Sequence, residues 1–318
     1  MAAAAPPVEA TAAVESTASW RRGDRVMLAL CWGAGLLLCV LAAAIVLFMA
    51  YKGLQYLRPS LLLERPQSSA DQSKTGGFLD PLLGTVALTM IGTAVALPIG
   101  VMTAVWLSEF ARPTWLARAV ESGTEVIAGT PDIVLAIFGL VLFQQHVFGF
   151  LSFTAQGNAV FGRSFLTAGA MMALVALPFV VGSTREALQS IPRHVREASY
   201  ALGKTKAATI RRVLLPSCRP GIATGAVLGM GRIVGDTAIV VILLGASLQF
   251  QRVDGPPLVG DLRGTGSTLT SYVYNNSPAG EGNAPEKAYA AAFVLLIVVI
   301  GLNLGAGRLG QGRTKWKG

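Results

Sequence analysis

Apolar residues in this chain fall in long unbroken blocks, at residues 26–50, 82–107, 126–148, 165–181, 222–246 and 289–304, with neither strand alternation nor a one-sided helical stripe. The hydrocarbon core of a bilayer is about 30 Å thick, and a helix crosses it with ~20 mostly apolar residues. The pattern therefore predicts an all-α integral membrane protein with six transmembrane helices. Residues 1–20 are rich in Ala, Thr, Ser and Pro and read as a disordered tail. Arg21, Arg22 and Arg25 followed by the block at 26–50 have the order of a signal peptide. That block is longer than the ~7–15 residues of a signal core, so it reads as a retained first span. The expected organisation is a tail at 1–25, a transmembrane region at 26–308 and a second tail at 309–318. Pro98, Gly100, Pro131 and Pro178 lie inside the blocks, as hinges and close contacts between helices or simply as ordinary membrane-helix composition.

Composition agrees. The chain is 53% hydrophobic and 14% charged, with a mean hydropathy of +0.56, whereas soluble domains carry about a quarter charged residues. The net charge of +9 does not point to nucleic acid, because the basic residues sit in loops between apolar blocks. Arg21, Arg22, Arg25, Arg112, Arg118, the loop at 182–221 and the final segment hold most of the Lys and Arg. By the positive-inside rule these lie in the cytoplasm, with both termini. The longest loop on the opposite side, 247–286, is rich in Gly, Pro, Asn and Ser and reads as irregular. Cys31, Cys39 and Cys218 show no pairing or metal spacing and read as small apolar residues. His146 and His194 have no metal partner at useful spacing, which disfavours an intramembrane enzyme.

The loop at 190–216 reads as two short helices. Pro192 suits a first helical position, Gly203 a C-terminal cap, Thr205 an N-cap and Pro216 a stop. Val195, Ala198 and Leu202, and then Ile210, Val213 and Leu214, recur at helical spacing beside a basic face. Such an element docks into a groove on another protein, or lies on anionic lipid. Gly203-Lys204-Thr205 is not a phosphate-binding loop, because position 198 is Ala and the preceding residues are helical.

With Glu197-Ala198-Ser199, Gly203, Val213 and Leu215-Pro216 at these spacings, the loop resembles the cytoplasmic coupling loop of ABC-superfamily importer permeases. That family's pattern is Glu-Ala-Ala, three residues, Gly, nine residues, Ile, one residue, Leu-Pro; Ser199 and Val213 depart from it mildly. The resemblance implies the type I importer permease fold and no catalysis by this chain. It also implies that the loop conveys the movements of a partner ATPase, which carries the ATP and its magnesium; no cofactor is expected on this chain itself. A self-contained secondary transporter would instead show two similar halves with interrupted helices.

Charge inside the fifth block is the second signal. Arg232 and Asp236 stand four residues apart in Gly231-Arg-Ile-Val-Gly-Asp-Thr. A charge at a span centre costs about 2.5–3.5 kcal/mol on insertion scales, so such residues face the bundle interior or a pathway. On one helix face they form either a structural ion pair or an anion-relaying site in which Asp236 orients Arg232, and a guanidinium serves phosphate, sulfate or carboxylate alike. This stretch resembles the Gly-Arg-x-x-Gly-Glu-Thr of phosphate permeases of the PstA/PstC type, with Asp236 for Glu. Gly129-Thr-Pro131-Asp132-Ile-Val-Leu-Ala-Ile-Phe-Gly139, Ala96-Leu-Pro-Ile-Gly100 and Leu107-Ser-Glu-Phe110 resemble further stretches of that family, and the continuation Asp236-Thr237-Ala238 with the short final span resembles its PstA side. The resemblance implies phosphate as cargo. It also implies a PstC-like second permease, two ATPase subunits and an extracytoplasmic phosphate-binding protein as partners within membrane lipid. Arg232, Asp236, Asp132 and Arg185 are the expected pathway residues. Ser183 stands where many of these relatives carry Arg, and Asp132 is an unusual acid that a base on a partner chain could balance.

Overall fold

The computed structural model describes residues 22–67, 76–111, 114–152, 160–245, 247–251, 257–280 and 284–310. Of the expected tails at 1–25 and 309–318, residues 1–21 and 311–318 lie outside these residues, while 22–25 and 309–310 are helical. Among the described residues the fold is helical, with no strand beyond an isolated antiparallel bridge between Gln251 and Thr265. The chain divides into two units, Met1–Ala50 and Tyr51–Gly318.

The first unit is the body of helix α1 (Arg22–Tyr56), 35 residues long with a mean hydropathy of 2.6 in its most apolar window. Apolar on every face, it has the character of a lipid-facing span. The second unit holds α2 (Leu79–Val105), α3 (Trp115–Gly129), α4 (Asp132–Phe143), α5 (Phe165–Gln189), α6 (Arg193–Ala201), α7 (Lys206–Thr209), α8 (Arg219–Gly235), α9 (Leu269–Asn276) and α10 (Pro285–Gly310). Among the described residues four helices are long and apolar enough to cross a membrane, and up to six spans result when each of two bent pairs counts as one. Those pairs are α3 with α4, broken by 111°, and the Lys206–Ser217 helix with α8, broken by 66°.

The core of the second unit lies where α2, α4, α5 and α8 meet. Leu88, Ala96, Ala136, Ala168, Met172, Ala176, Ile233 and Leu243 are all buried there. Small residues permit this closeness, as they do wherever helices pack in lipid. A Cβ on Gly100 would stand 2.7 Å from Val180 Cγ1, and one on Gly221 only 2.3 Å from Ala187 Cβ. At one end of the bundle Ser164 caps α5: its Oγ accepts the Thr167 N–H at 3.0 Å, and Thr167 Oγ1 accepts the Ser164 N–H at 2.9 Å.

Two expectations need correction. The segment 247–286 is not irregular throughout. It contains a turn of helix at Pro257–Leu262 and the helix α9, whose Leu269 and Tyr272 are fully buried against Phe78, Ala290 and Ala291. A Thr268/Ser271 capping box starts α9, and the Leu269 N–H donates to Thr85 Oγ1 on α2 at 2.8 Å. Pro216 does not stop the second loop helix, which runs through a π turn at Ile210–Leu214 and on to Ser217. The π turn shifts the hydrogen-bond ladder by one residue, which moves the carbonyl that the proline ring would otherwise strike. The helix breaks instead at Cys218.

Candidate functional site

Three charged residues of the membrane region, Asp132, Arg232 and Asp236, lie at two helix breaks. The first lies between α3 and α4. Pro131 forces the residue before it into extended backbone, and Thr130 accordingly has φ −81° and ψ 132°. Asp132 then opens α4, where a carboxylate is favoured by the positive end of the helix dipole. The second break ends α8 at Gly235. Asp236 takes φ −77° and ψ 132°, and its Oδ1 accepts the Ile239 N–H at 2.8 Å, so it caps the turn that leads into a π turn at Val240–Leu244.

Arg232, in the last turn of α8, reaches across to Asp132: its Nη2 donates to Asp132 Oδ1. The side chains are 35% and 29% exposed respectively. Asp236 is only 3% exposed, and the charges of both Asp132 and Arg232 lie near enough to act on it. Asp236 Oδ2 has no hydrogen-bond partner among the described residues, while the Asp236 carbonyl accepts the Thr270 hydroxyl of α9 at 3.2 Å.

This changes the expected pairing. Arg232 and Asp236 would share a helix face only if α8 continued through 236; it stops at Gly235, so the spacing of four no longer places them side by side. Arg232 pairs instead with Asp132, so the base beside Asp132 comes from this chain. Arg185 belongs elsewhere. On α5 its Nη2 lies 2.5 Å from Glu121 Oε1 of α3. Two residues earlier on α5, Ser183 Oγ donates to the Gly221 carbonyl at 2.7 Å, a point about 16 Å along α8 from Arg232 at 1.5 Å per residue. Ser183 thus fills its position by bonding the tight α5–α8 crossing.

The loop at 190–216 folds as two helices. Pro192 is the N-cap of α6, one position earlier than expected. Gly203 has φ 73°, the left-handed conformation of a helix-ending glycine. Thr205 Oγ1 accepts the Ala208 N–H at 3.3 Å as a cap. Glu197 and Ala198 are exposed and Leu202 is 77% exposed, whereas Ile210 and Leu214 are buried against Leu188 and Cys218. Val213, Leu215 and Pro216 are half-buried beside them. The first helix therefore turns its apolar stripe outward, and the second turns part of its stripe inward. Glu109 carries more of this loop's geometry than its sequence suggested. Glu109, whose side chain is 7% exposed in the π turn Trp106–Phe110 that continues α2, accepts from Arg196 Nη2 at 2.8 Å and from Nε at 3.1 Å, and Lys206 donates to the Glu109 carbonyl. Only the resemblance of Leu107-Ser-Glu-Phe110 had marked that stretch.

The architecture is that of type I ABC importer permeases. An alginate ABC transporter in complex with an alginate pentasaccharide-bound periplasmic protein matches with a TM-score of 0.62 at 17% identity, over 91% of this chain and 94% of that one. The MetNI methionine ABC transporter in inward-facing conformations matches at 0.55 and 20% identity, over 74% of this chain and 94% of that one. The family model described as binding-protein-dependent transport system inner membrane component matches residues 96–311, and the chain belongs to that family. Among its curated relatives is a phosphate transport system permease protein PstA of Mycobacterium leprae, 33% identical over 231 residues, 72% of this chain and 69% of that protein. Another is a PstC of Haemophilus influenzae, 30% identical over 231 residues, 67% of this chain and 72% of that protein. The chain is thus a multi-pass membrane permease component and not an enzyme.

Proposed function

We propose that this chain is the PstA-side permease of an ATP-driven importer of inorganic phosphate. Its partners in this reading are a PstC-like permease, two ATPase subunits and an extracytoplasmic phosphate-binding protein. ATP and its magnesium are held by the ATPases, and both termini are cytoplasmic. The observation that carries the reading is a guanidinium held by a carboxylate where two broken helices meet, Arg232 on Asp132 beside Asp236. The names of the relatives at 30–33% identity support phosphate as the cargo.

In this reading Asp132 is a resident stand-in for the cargo. A guanidinium carries five N–H donors in a planar fork, more than one carboxylate oxygen can take, and matches phosphate oxygens in pairs. A passing phosphate competes with Asp132 for Arg232, and the neighbouring acids keep the complex from becoming a trap. Asp236 shapes the break and holds α9 through Thr270, so it contributes position as well as charge. Arg185, tied to Glu121 on α3, acts nearer the coupling end than the Arg232 site. Glu197, Ala198 and Gly203 form the outward face that docks on an ATPase, with Val213, Leu215 and Pro216 seating the second helix beneath it.

The test is ATP-driven uptake of radiolabelled phosphate into vesicles holding this chain and its co-purified partners. Uptake blocked by excess phosphate but not by sulfate is the expected result. ATP hydrolysis by an assembled complex that takes up no phosphate would keep the permease and overturn the cargo.

A further inference from the structure

Arg196 and Glu197 are neighbours on α6 that face different surroundings. Glu197 is exposed, on the side that the functional reading gives to the ATPase. Arg196 points inward and spends its donors on three elements. Nη1 donates to the Ile191 carbonyl at 2.8 Å and Nη2 to the Leu188 carbonyl at 2.9 Å, which ties α6 to the end of α5. Nε and Nη2 both converge on Glu109 Oε1 in the π turn that continues α2. A pair this enclosed, with Glu109 7% and Arg196 20% exposed, is screened far less than a surface pair.

The second loop helix is attached to the same place. Lys206 donates to the Glu109 carbonyl and lies 4.4 Å from the Phe110 ring centroid. The two loop helices are also joined to each other by a buried hydrogen bond, Ser199 Oγ to Thr209 Oγ1 at 2.8 Å. Both therefore move as one body whose anchor on the membrane helices includes Glu109. From there α2 and its terminal π turn run as one helix, Leu79–Phe110. Its far end, at Thr85, holds the N-terminus of α9, whose Thr270 bonds the carbonyl of Asp236. A continuous chain of named contacts thus links the ATPase-facing loop to the break that carries the charged cluster.

We propose that Glu109 is a positioning residue for transport: with Arg196 it forms the strut through which displacement of the coupling helices is passed to α2, and along α2 to α9 and the Asp236 break. The proposal rests on the functional reading above. A residue that merely supports folding would change the amount of complex; a strut changes how much cargo moves for each ATP spent.

The experiment compares Glu109→Ala, Arg196→Ala and the double variant in the full complex reconstituted with its binding protein, measuring phosphate imported per ATP hydrolysed. Each single variant is expected to lower that ratio by roughly tenfold while complex yield and basal ATP hydrolysis are kept. The double variant is expected to be no worse than either single one, because contacting residues that act as a unit are not additive. Arg196→Lys should restore little, since a point charge cannot reproduce the fork. Wild-type ratios in the single variants, or losses that multiply in the double, would overturn the strut. Should Glu109→Ala fail to assemble, the isosteric Glu109→Gln carries the same comparison. A wild-type complex without ATP-driven uptake would fail the functional reading instead, before any variant is compared.

Discussion

Replacing Arg232 by Gln separates the roles that its position allows. The Arg232–Asp132 pair is about one-third exposed on each side. It falls between surface pairs, worth ~0–1 kcal/mol, and buried pairs, whose breakage costs ~3–5 kcal/mol. Loss of the pair should therefore cost about 1–3 kcal/mol of helix-to-helix attachment, which a core spread over α2, α4, α5 and α8 withstands. Assembly with the ATPases should be retained. Transport should not be. A charge-assisted hydrogen bond to a guanidinium contributes about 1.5–3 kcal/mol, so in the proposed relay the loss of even one slows passage by roughly 10–150-fold at 1.4 kcal/mol per decade. Uptake of radiolabelled phosphate by equal amounts of assembled complex measures this directly. The variant carrying both Arg232→Gln and Asp132→Asn makes the test sharper. If Arg232 served only to neutralise Asp132, removing both would restore uptake; if its guanidinium handles the anion, the double variant stays slow. Uptake by Arg232→Gln within twofold of wild type would refute the relay.

Three further outcomes follow from other parts of the chain. Gly203→Pro forbids the φ of 73° and removes the N–H that Tyr200 accepts at 2.9 Å, so ATPase co-purification should fall; unchanged recovery would count against docking at this loop. Gly221→Val drives a side chain into Ala187 Cβ and the Ser183 carbonyl, 2.3 and 3.1 Å from the first added carbon. It should cost about 1–3 kcal/mol and lower the thermal midpoint in detergent, while Gly231→Ala, with open space around it, should not. Burial pushes the Cys218 thiol, in the break ahead of α8, up to about 11 from 9.0. A folded-state pKa above the unfolded one means that the native state holds its proton longer, so this contribution is intact below pH 9 and is lost between about 9 and 11. In a chain lacking Cys31 and Cys39, maleimide labelling at neutral pH should wait for unfolding; rapid labelling of the folded complex would contradict that burial.

The sequence was informative wherever one strong requirement governed a long stretch. Apolar blocks must span, so the number of spans could be counted from the chain. The loop helices were legible because Gly203 and Thr205 each have a local duty that needs few neighbours. What could not be read was the tertiary partner of each charge. The spacing of Arg232 and Asp236 suggested a pair only on the assumption of an unbroken helix. Gly235 and Asp236 end that helix because Asp236 caps the next turn, and Asp132, a hundred residues away, takes its place. Pro131 was visible, but its consequence, a 111° break that brings Asp132 to face α8, depends on packing. The helix α9 was hidden by its composition: Thr, Ser and Asn read as loop, although here they cap the helix and bond its buried backbone.

The π turn at Trp106–Phe110 also bears on how this helix can be inherited. Such a turn holds one residue more than the α-helix around it, and each residue turns the helix by about 100°. Deleting a single residue there would restore a regular ladder, leave the span's apolar character untouched, and swing Glu109 and Phe110 away from Arg196 and Lys206. A one-residue gap that looks harmless when such chains are aligned would therefore mark a permease whose loop is wired to its spans differently.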